Sequence, residues 1–299
     1  MNQQPDARPT PAPTIRKVLV VGATGMLGRP VTQELVAAGF EVTALVRNPA
    51  RARPLLPAAV RLVAGDLAQP DTLPAALAGH DAVYLNLSVQ QTERESAFHP
   101  EGEGLQHLLA AARQVGVQRV VYLSSLIKDY AGFRWWVFEL KKQAAEQVRR
   151  SGLPYTIFHP SAFMETLVGT QLAGSRILVA GKARHGMHWV SGRDYGRQVA
   201  AALRLPAAAN REYVVQGPEP LTTLEAAQQV ARYHGRRRLT VSYAPLGLIR
   251  FLGRFVPRMN YGAHIIEALN EMPEPFQAAQ TWRDLGPATE PVRDFAARQ

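Results

Sequence analysis

Residues 18–28 read Val18-Leu19-Val20-Val21-Gly22-Ala23-Thr24-Gly25-Met26-Leu27-Gly28, an apolar strand that runs straight into three evenly spaced glycines. A strand that ends on glycine and restarts as a helix lets backbone N–H groups approach a diphosphate at the helix N-terminus. Gly22 permits the tight turn, Gly25 the close approach of the main chain, and Gly28 the close lie of the helix on the sheet. Thr24, Met26 and Leu27 fill the loop and count with the glycines as candidate cofactor contacts. The glycines are informative because of their context: a helical stretch to Ala38 follows, and the next apolar run, EVTALV at 41–46, arrives on schedule.

That second strand runs out in Leu45-Val46-Arg47-Asn48. A site selective for NAD places Asp or Glu here to accept from the ribose 2′-hydroxyl, and this chain has a cation instead. A guanidinium offers a planar fork of donors suited to a 2′-phosphate, so the expected cofactor is NADP(H), with Arg47 as its reader and Arg29 nearby.

Outward from this unit, short β-branched runs alternate with helical stretches. They are VRLV at 60–63, DAVYLNL at 81–87, a helix over about 101–115, QRVVYLSS at 118–125, a helix over about 136–151 closed by Gly152 and Pro154, and YTIF at 155–158. The alternation predicts an α/β fold with a doubly wound parallel Rossmann-type sheet. Beyond Pro160 the period loosens, which predicts a smaller, mostly helical C-terminal substrate lobe. The expected organisation is a disordered tail at 1–14, a NAD(P)-binding domain at 15–160, and a lobe at 161–299. Some of the lobe's elements, EYVVQ at 212–216 among them, are expected to return to the Rossmann sheet.

Composition removes other classes. The 299 residues contain no cysteine, so disulfides, thiolate metal sites and cysteine nucleophiles are excluded. Eight histidines without an HExxH helix argue against a metal, and Ser124-Ser125 lack the GxSxG elbow of hydrolases. The net charge of +10 is spread: residues 1–150 carry 17 basic and 13 acidic side chains, the remainder 17 and 11. No specific nucleic-acid partner is expected from such a distribution. No charge-free apolar run reaches spanning length, and the proline-rich start lacks the apolar core of a secretory signal, so a cytoplasmic location is expected.

Further candidates sit at strand ends, where open α/β sheets bind ligands. Asp66 and Leu67 follow the third strand, Asp66 being either an acceptor for the adenine amino group or a turn cap. Asn86 and Ser88 follow the fourth strand, and Ser124 and Ser125 the fifth. The stretch PLGLIRFLGRFVPR at 245–258 places Arg250, Arg254 and Arg258 on one helical face. It suits an anionic membrane, a dimer contact or a lid over the substrate. Gly247, Gly253 and Pro257 make it a poor free-standing helix and favour a packed lid.

Taken together the chain resembles the atypical, NmrA-like branch of the short-chain dehydrogenases/reductases. The matching segments are GATGMLG at 22–28, LVRNP at 45–49, GDL at 65–67, YLSS at 122–125, KKQAAEQVRRSGLPYTIFHPSAFME at 141–165, VSGRDYGRQVAAAL at 190–203 and YVVQGPEPLT at 213–222. The resemblance implies NADP(H), a small substrate lobe, and either reduction of a carbonyl or double bond or sensing of the cofactor. A homodimer is a candidate assembly. It implies ribose binding and catalytic assistance by Lys142, contact of His159 with the nicotinamide end, and Phe163 and Met164 facing the substrate. The chain departs from the superfamily's Tyr-x-x-x-Lys: the register reads Phe138-Glu139-Leu140-Lys141-Lys142, so the lysine is present and the phenol is absent. Ser125, Tyr130 and His159 are the candidate substitutes for the missing proton donor, Ser125 foremost, and His159 itself replaces a commoner arginine.

Overall fold

A computed structural model describes residues 14–299; nearly all of the predicted tail lies outside the described residues. The chain begins β1 (Lys17–Val21), α1 (Gly28–Ala37), β2 (Glu41–Val46), α2 (Pro49–Ala52), β3 (Arg61–Ala64), α3 (Leu73–Leu77), β4 (Ala82–Leu85), α4 (Glu103–Gln114), β5 (Arg119–Leu123), α5 (Trp136–Arg149) and β6 (Tyr155–Pro160). It continues α6 (Glu165–Val168), β7 (Leu172–Ala173), β8 (Arg176–Ala180), β9 (Met187–His188), α7 (Gly192–Arg204) and β10 (Arg211–Val215). The final elements are β11 (Pro220–Leu221), α8 (Thr223–Tyr233), β12 (Thr240–Ala244), α9 (Leu246–Gly253), α10 (Pro257–Glu271), α11 (Ala279–Leu285) and α12 (Val292–Ala297).

Seven strands form one parallel sheet in the order β10-β6-β5-β4-β1-β2-β3. This is the Rossmann-type fold. Both faces are covered, which is why the central strands read as continuous apolar runs rather than alternating ones. Val18, Val20, Tyr84, Val121 and Phe158 pack on one face beneath α1 and α7, through Val31, Leu35, Tyr195 and Val199. Leu19, Val83, Leu85, Val120 and Ile157 pack on the other beneath α4 and α5, through Leu105, Leu108, Ala144 and Val148. The strand order reverses between β1 and β4, and the crevice at that reversal is the ligand position of open α/β sheets.

The C-terminal half adds a three-stranded sheet, β12-β8-β7, and a two-stranded one, β11-β9, with the remaining helices. β10 leaves this half and extends the main sheet beside β6, Val214 opposite His159. The run GMHWV at 186–190 splits its pairing: Met187–His188 joins β11, Val190 bridges Phe163, and between them Trp189 is buried and donates its indole N–H to the Leu221 carbonyl at 2.9 Å. The stretch at 245–258 is not one helix: α9 ends at Gly253, and Pro257, with no N–H to lose, opens α10.

Candidate functional site

Gly22 sits at φ +80°, and a Cβ there would lie 2.2 Å from the Asn86 carbonyl oxygen. The turn then closes through Gly25 N–H to the Gly22 carbonyl at 3.0 Å and winds into α1 through Arg29 N–H to the Gly25 carbonyl at 3.1 Å. A Cβ on Gly28 would stand 2.0 Å from the Gly22 oxygen, so Gly28 is imposed by the turn itself as well as by the sheet behind it. Gly25 is exposed, and a Cβ there would lie 3.3 Å from the Gly22 oxygen and 3.8 Å from Asn86 Nδ2. Thr24 and Leu27 are half-buried and Met26 is exposed. Arg29 lies back along the loop and donates to the Thr24 carbonyl at 2.9 Å.

α1 has no side-chain cap, and no acid stands in its first turn. Its leading N–H groups therefore keep their hydrogen-bonding capacity and their positive end charge. A glycine cradle that admits no side chain, facing an uncapped N-terminus of a ten-residue helix, fits a dinucleotide diphosphate.

Around the cradle the other residues sort by strand end. Arg47 is exposed immediately after β2, with no hydrogen-bond or ion-pair partner among the described residues. Asp66 uses Oδ1 to accept from Ala68 N–H at 3.0 Å, which is the turn-cap role; Leu67 beside it is buried. Asn86 is half-buried against the glycine turn and extends the ladder by donating its N–H to the Val21 carbonyl at 3.1 Å, while Ser88 is exposed. Ser124 is buried, its backbone N–H donates to the Phe158 carbonyl, and its Oγ has no partner among the described residues. Ser125 is half-buried.

Helix α5 sends its two adjacent lysines to different places. Phe138 is 3% exposed and packs among Trp135, Phe133 and Ala268, so the register position of the missing phenol is a hydrophobic contact under α10. Lys141 points inward: its Nζ lies 2.6 Å from Oε1 of the fully buried Glu101, which also accepts from the Tyr122 hydroxyl. Burial and the Glu101 carboxylate push the Tyr122 phenol well above its ordinary range. Lys142, 40% exposed, lies 3.1 Å from Glu139 Oε1 and lines a cavity of about 390 Å³ with Lys128, His159, Glu212 and Gln277. The structure thus brings Lys142 and His159 together.

His159 Nε2 is 2.7 Å from Glu212 Oε2, and Arg149 grips both oxygens of the same carboxylate at 2.6 and 3.0 Å. Those two partners hold the Glu212 carboxyl down to about 2. Phe163 and Met164 are buried, Phe163 against Tyr195 and Met164 in the core shared with Trp189, so both serve packing.

Sequence reasoning missed three groups. Glu101 and Tyr122 lie far from Lys141 in the chain, and no local spacing connects them. Glu274 anchors the segment after α10 by accepting from Ser161 Oγ at 2.8 Å, Gln216 Nε2 at 2.9 Å and His188 N–H at 3.0 Å. Glu165, at the start of α6, accepts from Gly192 N–H at 2.8 Å, and burial pushes its carboxyl up to about 7.

The NAD(P)H-binding family matches residues 22–205, most of the chain, and the protein belongs to that family. It is 32% identical over 225 residues to an NAD(P)H azoreductase of Xenophilus azovorans, covering 73% of this chain and 74% of that one. It is 25% identical over 257 residues to the photosystem II assembly factor Ycf39 of Trieres chinensis, covering 84% and 79%. Among solved structures, the triphenylmethane reductase of Citrobacter sp., complexed with NADP(H), superposes with a TM-score of 0.73 at 21% identity, covering 94% of this chain and 99% of that one. The expected resemblance and Rossmann-type fold hold, and the cofactor is a nicotinamide dinucleotide.

Proposed function

We propose that the protein is an NADP(H)-dependent oxidoreductase of the atypical short-chain type, acting on a small carbonyl, enone or quinone-like substrate. The observation that carries this reading is the glycine cradle set before an uncapped helix N-terminus. In this reading the backbone from Gly22 through Thr24, Gly25, Met26 and Leu27 to Gly28 holds the diphosphate, and Arg47 holds the 2′-phosphate. Asp66 and Leu67 border the adenine, Asn86, Ser88 and Ser124 border the middle of the cofactor, and Lys142 and His159 serve its ribose and nicotinamide end.

Bound there, reduced nicotinamide supplies a hydride. The chain must then orient the acceptor and deliver a proton to the oxygen that gains charge. Phe138 has no ionisable proton, so we assign delivery to the Ser125 hydroxyl, foremost of the candidate substitutes Ser125, Tyr130 and His159, with the Lys142 ammonium favouring proton release toward the acceptor. His159 is occupied through Nε2 by Glu212, which suits it to hold position rather than to donate.

The experiment is a titration with both coenzymes followed by a turnover panel. NADPH binds more tightly than NADH, and Arg47→Glu reverses the order; equal affinities for the two would contradict the reading. With quinones, enals, aldehydes and azo dyes, turnover falls by roughly 10²-fold or more in Lys142→Ala.

A second reading, a noncatalytic NADP(H)-binding sensor or assembly factor, is favoured by Phe138 and by the likeness to Ycf39. Tight NADPH binding with no turnover across the panel, together with a captured protein partner, would establish it.

A further inference from the structure

The expected packed lid at 245–258 is only partly packed. α9 lies against α10, with Gly253 buried at their junction. Yet Leu248, Phe251, Phe255, Val256 and Met259 are 52, 54, 74, 41 and 39% exposed. Single exposed apolar side chains are ordinary, whereas five within twelve residues form a patch that marks an interaction surface. Phe251 and Phe255 meet edge to face at 5.9 Å, so the aromatic part of the patch is continuous. The patch is continuous along the turn: every residue from Arg254 to Asn260 is exposed.

The charge carried by the stretch itself has one sign, with Glu267 and Glu93 as the acids beside it. Residues 245–266 contain no Asp or Glu and carry Arg250, Arg254 and Arg258. Arg250 pairs with Glu267, Arg258 meets only the neutral Gln91 amide oxygen, and Arg254 has no partner among the described residues.

We propose that this hairpin docks the protein on an anionic lipid surface, Phe251 and Phe255 entering the boundary between headgroups and acyl chains while Arg254 and Arg258 meet lipid phosphates. Short helices with an apolar edge and a basic flank lie in such an interface, and no helix among the described residues is long and apolar enough to cross a membrane. Docking of a second copy by a two-fold contact would set the same arginines against each other. An exposed turn whose Arg254 and Arg258 have no ion-pair partner among the described residues suits insertion into a surface of negative headgroups. A cavity of about 270 Å³ opens beside the turn, between Trp135, Trp136, Tyr261 and Phe255, so docking sets its mouth at the lipid. The proposal is independent of whether the site is catalytic.

The test is co-sedimentation of the full chain with phosphatidylcholine vesicles, with and without phosphatidylglycerol. Retention is expected on the anionic vesicles and at least tenfold weaker on the neutral ones. Arg254→Gln and Arg258→Gln each lower partitioning about fivefold, the worth of one cation near an anionic surface. Phe251→Ser with Phe255→Ser lowers it at least tenfold, with NADPH titration and a thermal melt confirming that the variants are folded. Phe255→Ser alone serves as the second variant, since that side chain supports no core. Absence of retention on anionic vesicles, or retention that the phenylalanine variants leave intact, overturns the proposal. So does a dimer in size-exclusion chromatography that the phenylalanine variants dissolve while vesicles retain nothing.

Discussion

The glycine loop after β1 and helix α5 after β5 serve one sheet, yet they are built on opposite principles. In the loop the backbone dictates the residues: at Gly22 and Gly28 a single added carbon would strike a carbonyl oxygen. In α5 the surroundings dictate what each residue does: Lys141 and Lys142 are chemically identical neighbours, and one is buried against a carboxylate while the other lines an open cavity. A loop of the first kind announces its ligand in its sequence. A helix of the second kind does not.

Substitutions sharpen this contrast, ranked here by their effect on stability. Lys141→Ala leaves the Glu101 carboxylate buried with only a phenol for company, and is expected to cost about 3–5 kcal/mol by denaturant unfolding. Adding Glu101→Gln should restore much of that loss, and a cost below about 1 kcal/mol for Lys141→Ala alone would show that the pair is not a buried one. Gly28→Ala forces a methyl into the Gly22 carbonyl, with an expected cost of about 1–3 kcal/mol and loss of NADPH binding by calorimetry. Intact binding in that variant would break the contrast at its other end.

Glu165 gives a smaller effect with a definite sign. Its carboxyl ionises near 4.5 in the unfolded chain and at about 7 in the fold. Between those values the folded protein holds a proton that the unfolded chain has released. Its contribution is therefore complete below about pH 4.5 and is lost as pH rises through about 7. Melts at about pH 5 and about pH 8 should show a few degrees of loss in the wild type that Glu165→Gln does not share. Last, Lys142→Ala removes a pair between two exposed side chains and should shift unfolding by under about 1 kcal/mol, even though Lys142 is the lysine proposed to matter for turnover.

Much of the fold was legible because period and punctuation are local properties. The alternation of apolar runs with helical stretches marks strands β1 to β6, and EVTALV at 41–46 is β2 residue for residue. α7 starts at Gly192 because Ser191 caps it by accepting from Asp194 N–H, a signal carried within four residues. The break between α9 and α10 was foreshadowed by Gly253 and Pro257, but the exposure of the apolar side chains beside it was not. Burial depends on which other elements arrive, and periodicity is silent on that.

At the site the same division holds. The run Val18 to Gly28, with the alternation of apolar runs and helical stretches after it, pointed to a parallel α/β sheet and a dinucleotide cradle, because steric exclusion at a turn acts between residues close in sequence. The partners of Lys141, the pairing of His159 with Glu212, the anchoring of the chain by Glu274 and the high carboxyl of Glu165 were decided only by the tertiary structure. Each depends on charges and burial contributed by segments far apart in the chain, and their energies follow from distance and desolvation in space rather than from spacing along the sequence.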